Sequence, residues 1–294
     1  MMSTLRNLRY YAPSLGQSWL LVLIFVFLGS FLGAIPKLVS GNSVFWESTS
    51  VFYLCAMLPV FVFIYFKAKM EYQKYEVVEL TAPRKINSPS FGSLPPVLVF
   101  FLAGLATLCI SVIIEPLVSL IPMPDSIKEL FEMLFYKSSP IDSFISVIIL
   151  APLCEEFLCR GMMLRGMLEH ISPIKAILWS AFLFALLHLN PWQAIPAFAL
   201  GAFFGWVYWK SGSIWLVIFL HFVNNFSAMI LARFFPDLPI DVALSDMLST
   251  GWYALTYAVA IIVFTCITLL FIKKLNSTDG KKTLSAEIPA DSEN

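Results

Sequence analysis

Apolar residues in this chain fall in long, nearly unbroken runs. They show neither the single apolar stripe of a water-facing helix nor the alternation of a half-buried strand. A helix that crosses a bilayer needs about 20 mostly apolar residues. Eight stretches meet that ruler, at about 18–35, 49–66, 97–118, 141–164, 173–189, 192–209, 213–232 and 252–272. The pattern predicts an all-α fold: a polytopic membrane helix bundle of about eight transmembrane helices, filling residues 1–274 as one domain. Between the runs, 67–94 mixes charges with Pro83, Pro89, Pro95 and Pro96 and reads as a loop. The segment 119–140, with its apolar-acidic pattern, reads as an interfacial helix on the outer face, and 275–294 is polar and apolar-poor, as in a disordered tail.

Composition strengthens the membrane reading. Of 294 residues, 59% are hydrophobic and 13% charged, against roughly 25% charged in soluble domains. Nineteen Lys and Arg balance nineteen Asp and Glu, so no basic excess points to nucleic acid, which we set aside as a partner. With the N-terminus inside, all of the Lys and Arg except Lys37, Lys128, Lys137 and Arg233 fall in inner segments. This is the asymmetry expected of eight spans with both termini cytoplasmic. The five cysteines lie in apolar stretches and read as free thiols.

Ionisable groups inside a bilayer cost roughly 2.5–3.5 kcal/mol each on insertion scales and normally face a partner, a cavity or a pathway. Here they concentrate in spans four to seven. Glu155, Glu156 and Arg160 follow an apolar run, His188 ends the fifth span after Phe184, and His221 and Asn225 share the seventh. Glu156 and Arg160 are four apart, on one helix face, so they can pair and leave Glu155 available. His221 and Asn225 are likewise four apart, as are Phe184 and His188. Three helices can thus aim polar groups at one point. Glu115 reads as structural, His170 as a solvated loop residue, and Cys154 and Cys159 as packing residues.

These residues form three ordered motifs: EExxxR at Glu155–Arg160, FxxxH at Phe184–His188 and HxxxN at His221–Asn225. In them the chain resembles the CAAX-protease and bacteriocin-processing family of intramembrane proteases, which includes the type II CAAX prenyl endopeptidases. The resemblance covers roughly 141–232. It implies a peptidase site within the bilayer of a multi-pass protein, in a bacterial cell membrane, acting on a membrane-associated peptide or lipidated protein. Carried over residue by residue, Glu155, His188, His221 and Asn225 are the catalytic groups, with Glu156, Arg160 and Phe184 in support.

The chemistry is consistent with that. Peptide hydrolysis needs an activated water and a stabilised oxyanion. Glu155 can take the water's proton, His188 can share or orient that water, and His221 and Asn225 can donate to the oxyanion. In a metal-assisted version Glu155, His188 and His221 would be zinc ligands, with the other glutamate as base. The motifs choose neither version, and no HExxH pair is present.

Counting about 1.5 Å per residue from the drawn span ends leaves His188 deeper than Glu155 and His221. We therefore expect the fifth span to begin further on, near Trp179, and the Asn190–Pro191 turn to border the active-site chamber. Two other classes also accommodate the residues: a transporter or proton-coupled channel, and a non-catalytic immunity or scaffolding protein.

Overall fold

The structure, a computed structural model, describes residues 7–39, 48–75 with the backbone of 76–78, 83–133, 139–235, 237–239 and 241–275. The predicted tail at 275–294 lies outside the described residues except for Leu275. The long helices are α1 (Leu15–Val39), α2 (Thr49–Val78), α3 (Pro96–Ser119), α5 (140–167), α6 (Pro173–Leu186), α7 (Pro191–Ser211), α8 (Ile214–Phe234) and α9 (Thr250–Lys274), with the short α4 (Asp125–Glu132) on the expected interfacial segment. No strand occurs among the described residues.

Local sequence explains where these helices begin. Ser14 and Gln17 form a reciprocal capping box ahead of α1, and Ser213 caps α8 by accepting from the Leu216 amide. Prolines open α3, α5, α6 and α7, where a missing N–H costs nothing. Asp142, in the first turn of α5, accepts from the Thr49 and Ser50 amides at 2.8 and 3.1 Å and so caps α2 from another helix. Gly212, at φ +63°, ends α7 in the left-handed conformation that lets its N–H return to the Tyr208 carbonyl at 2.7 Å.

By length and composition, five helices among the described residues suit a membrane crossing: α1, α2, α3, α8 and α9. The predicted fifth span is shorter than drawn, with α6 only 14 residues long. The α5 helix is segmented by wide π-type turns at Phe144–Leu150 and Phe157–Leu164. Such turns are frequent near functional sites. The polarity of the bundle is that of an integral membrane protein: Phe27 and Val97 are 71% and 82% exposed, whereas Glu156 and Arg160 are wholly buried.

Two expectations need correction. Residues 67–78, predicted as loop, continue α2. Lys, Glu, Met and Gln are good helix formers, and Glu71 pairs with Lys74 at 2.8 Å. Arg165, counted above with the inner-loop cations, is 1% exposed. Its guanidinium donates to the carbonyls of Gly161 (2.7 Å), Arg9 (2.8 Å), Arg84 (2.9 Å) and Tyr11 (2.6 Å). It thereby fastens the N-terminal segment and the 83–90 strap to α5. That strap continues onto the α7–α8 turn, with Ser88 and Ser90 amides donating to the Gly212 and Ser211 carbonyls.

The packing brings the three motif segments together. The α6 and α7 helices form an antiparallel hairpin in which Gly201 faces Ala181 and Phe184, and Gly205 faces Ile177. Small residues at such crossings let helices approach closely without a hydrophobic driving force between them. The α8 helix lies against α3, where Gly104 meets Phe219, and against α5.

Candidate active site

The most buried part of the site lies on α5. Arg160 Nη1 is 3.0 Å from both carboxylate oxygens of Glu156, one turn away, as the spacing predicted. Its Nη2 donates to the Gly201 carbonyl at 2.8 Å. A Cβ at Gly201 would stand 3.2 Å from that nitrogen and 3.1 Å from Phe184 Cδ1, so this close approach depends on glycine. The guanidinium carbon lies over the rings of Phe184 (4.6 Å) and Phe204 (5.7 Å), a placement stabilised by the negative faces of the rings.

His221, on α8, completes this cluster. Its Nδ1 lies 2.9 Å from Glu156 Oε1. An ionised carboxylate only accepts, so Nδ1 carries the proton and Nε2 is the nitrogen left for other chemistry. A buried ion pair is maintained only where geometry and further hydrogen bonds satisfy both charges. Here the imidazole and the Gly201 carbonyl supply two such bonds, while Arg160 Nε has no acceptor among the described residues.

His188 is placed differently from the prediction. The α6 helix stops at Leu186, and His188 sits in the turn beyond it. Pro191 holds Asn190 extended (φ −145°, ψ 146°), and Leu189 adopts φ +56° to make the reversal. Even so, His188 Nδ1 donates to the Phe184 carbonyl at 3.1 Å, and its ring stands edge-on to Phe184 at 5.2 Å. Nε2 is again the free nitrogen. Asn190 steadies the turn: its Nδ2 donates to the His188 carbonyl at 2.8 Å while its Oδ1 caps α7 at the Gln193 amide.

Phe184 is therefore the common neighbour. Its ring contacts His188 at 5.2 Å, His221 at 5.7 Å and Arg160 at 4.6 Å. Glu155 bonds neither histidine: its Oε1 accepts from the Tyr53 hydroxyl on α2 at 3.0 Å, and its Oε2 is buried and accepts nothing from the described residues. Asn225 donates to the Val147 carbonyl on α5 at 2.9 Å and accepts from Asn224 Nδ2 at 3.1 Å, which leaves one amide N–H. Asn224 in turn accepts from Ser111 on α3 at 3.1 Å.

Of the residues named as zinc ligands in the metal-assisted version, the two histidines share Phe184 as a neighbour and Glu155 turns to α2. Glu155 is engaged by Tyr53, and among the described residues no three His, Cys, Asp or Glu side chains come together as a metal site. Glu115 Oε1 accepts from the Leu244 amide at 2.9 Å. His170 is exposed, and the five cysteines are free. Sequence reasoning missed Tyr53, Asn224, Gly201 and Phe204. None has a spacing or charge that sets it apart within an apolar run. Only Gly201, a glycine inside a helix, carried a signal of close approach.

Residues 137–227 match the family model described as Type II CAAX prenyl endopeptidase Rce1-like. The matched segment contains all three motifs and every candidate catalytic residue, which supports assignment to the CAAX-protease and bacteriocin-processing family. No curated protein and no solved structure matches the chain.

Proposed function

We propose that this chain is an intramembrane endopeptidase hydrolysing a peptide bond of a membrane-associated or lipidated substrate, with Glu155 as general base. Two observations carry the reading: the three motif segments gather around the Phe184 ring, and Glu155, on the same helix as Arg160, has a buried carboxylate oxygen, Oε2, with no donor among the described residues. An undonated buried carboxylate oxygen is unfavourable. A water held there would donate to Oε2 and be positioned to lose its proton as it attacks.

The remaining residues then take defined roles. His188, with Nδ1 committed to the Phe184 carbonyl, offers Nε2 to orient that water. His221, with Nδ1 held by Glu156, and Asn225, with one N–H free, face the carbonyl oxygen as charge develops on it. Arg160 and Glu156 keep His221 in one tautomer and orientation. No step here passes through a metal; the zinc-assisted version would require Glu155 to leave Tyr53 and join the histidines. We further propose that both termini are cytoplasmic, from the distribution of Lys and Arg, and that the setting is a bacterial cell membrane, from the family resemblance alone.

Purified protein in proteoliposomes, incubated with a library of membrane-anchored peptides that includes prenylated members, tests the reading. Glu155→Gln and His188→Ala should each lower turnover by about 10²–10⁴-fold while the protein stays folded. Cleavage that survives both changes would remove the assignment. Arms with a chelator, and with zinc restored, report on metal assistance. Ion flux in sealed vesicles that persists without peptidase activity would favour the transporter class.

A further inference from the structure

The Tyr53–Glu155 contact lies outside the matched segment: Tyr53 is on α2, 84 positions before residue 137. The hydroxyl donates to Oε1 at 3.0 Å, and Oε2 is left buried and undonated. A carboxylate's last torsion is soft and roughly two-fold, so the two oxygens would otherwise exchange freely. A single hydrogen bond from a fixed donor removes that freedom.

The donor is fixed by the same two helices. Asp142 accepts from the Thr49 and Ser50 amides, and the Ser50 hydroxyl donates to the Asp142 carbonyl at 3.2 Å. Tyr53 follows one turn later on α2, and Glu155 lies further along α5. The two helices are thus tied twice, at a cap and at the tyrosine, which closes a rigid frame around the carboxylate. Groups supported in this way hold a productive geometry better than groups on free torsions.

We infer that Tyr53 is a positioning residue for Glu155: it holds Oε1 so that Oε2 is the oxygen presented to the attacking water. This rests on the hydrolase reading above. A tyrosine that merely satisfied its own hydroxyl would leave turnover unchanged when that hydroxyl was removed.

Tyr53→Phe keeps the ring and deletes the donor. It should lower kcat by about tenfold, the worth of one hydrogen bond to a charged group, with KM within about twofold, since no substrate contact is lost. In Glu155→Asp, whose shorter side chain withdraws from the hydroxyl, the same change should move kcat by less than about twofold, because interacting residues are non-additive. A 3-fluorotyrosine incorporated at position 53 keeps the hydroxyl. Its fluorine-NMR resonance should move on Glu155→Gln, which reads the contact without deleting the donor.

Wild-type kcat in Tyr53→Phe, in an enzyme that Glu155→Gln silences, overturns the Tyr53 inference alone. An unmoved fluorine resonance overturns it as well. Failure of the wild-type protein to cleave any peptide, or cleavage that survives Glu155→Gln, overturns the hydrolase reading first and the positioning role with it.

Discussion

His221 Nδ1 and Glu156 Oε1 lie 2.9 Å apart, joining α8 to α5 across 65 positions of sequence in the most buried part of the bundle. The contact makes Glu156 a shared partner: it neutralises Arg160 on its own helix and orients an imidazole on another. The two adjacent glutamates therefore have different surroundings. Glu156 is enclosed by an ion pair and an imidazole, whereas Glu155 meets a single tyrosine from another helix.

Glu156→Gln should destabilise the protein by about 3–5 kcal/mol, the range found when one partner of a buried ion pair is removed. The amide cannot neutralise Arg160, and the guanidinium is left as an uncompensated charge. Reversible unfolding in detergent micelles measures this. A stability within 1 kcal/mol of wild type, roughly the effect of an exposed pair, would show that Arg160 is satisfied without the carboxylate.

Gly201→Ala should cost about 1–3 kcal/mol through overpacking. The new methyl would lie 3.1–3.2 Å from Phe184 Cδ1, Ala181 Cα and Arg160 Nη2. Something on α5 or α6 must move, and both carry site residues. Turnover should therefore fall together with thermal stability. Unchanged stability accompanied by full activity would contradict the close approach.

Arg165→Met keeps a long apolar stem and removes every donor. Four carbonyls lose a charged partner, and the N-terminal segment loses its fastening to α5. Limited proteolysis should cut near Tyr10–Pro13 faster than in wild type, with a stability loss of about 3 kcal/mol, the upper end for one hydrogen bond to a charged group. Arg165→Lys, with three donors on a point charge, should lie between the two proteins.

Asn190→Ala removes the α7 cap and the bond to the His188 carbonyl in one step. Loss of the cap costs about 1 kcal/mol. The His188 turn, already held with Leu189 at φ +56°, loses its brace, so kcat should decline more than KM rises. Steady-state kinetics on a cleaved peptide separates the two parameters. An effect on stability alone would confine Asn190 to capping.

Much was legible from the chain alone, because apolar run length and helical spacing are local properties. The long runs specified α1, α3, α8 and α9 within a few residues, and the i,i+4 rule placed Arg160 beside Glu156. The ends of α2 and α6 were misjudged for a physical reason. Charge was read as loop at 67–78, where Lys and Glu favour helix, and apolarity was read as helix at 187–189, where the chain reverses ahead of Pro191.

Sequence by itself determined that Glu155, Glu156, Arg160, His188 and His221 enter the bundle, though not that Arg165 does. It also determined their neighbours along their own helices, since a turn of helix sets those distances regardless of the rest of the fold. Helix packing alone decided the partners across helices: His221 with Glu156, Tyr53 with Glu155, Arg160 with the Gly201 carbonyl, and Phe184 among both histidines and the guanidinium. These contacts depend on crossing angles and on glycines that permit close approach, and such quantities arise only when separate helices meet.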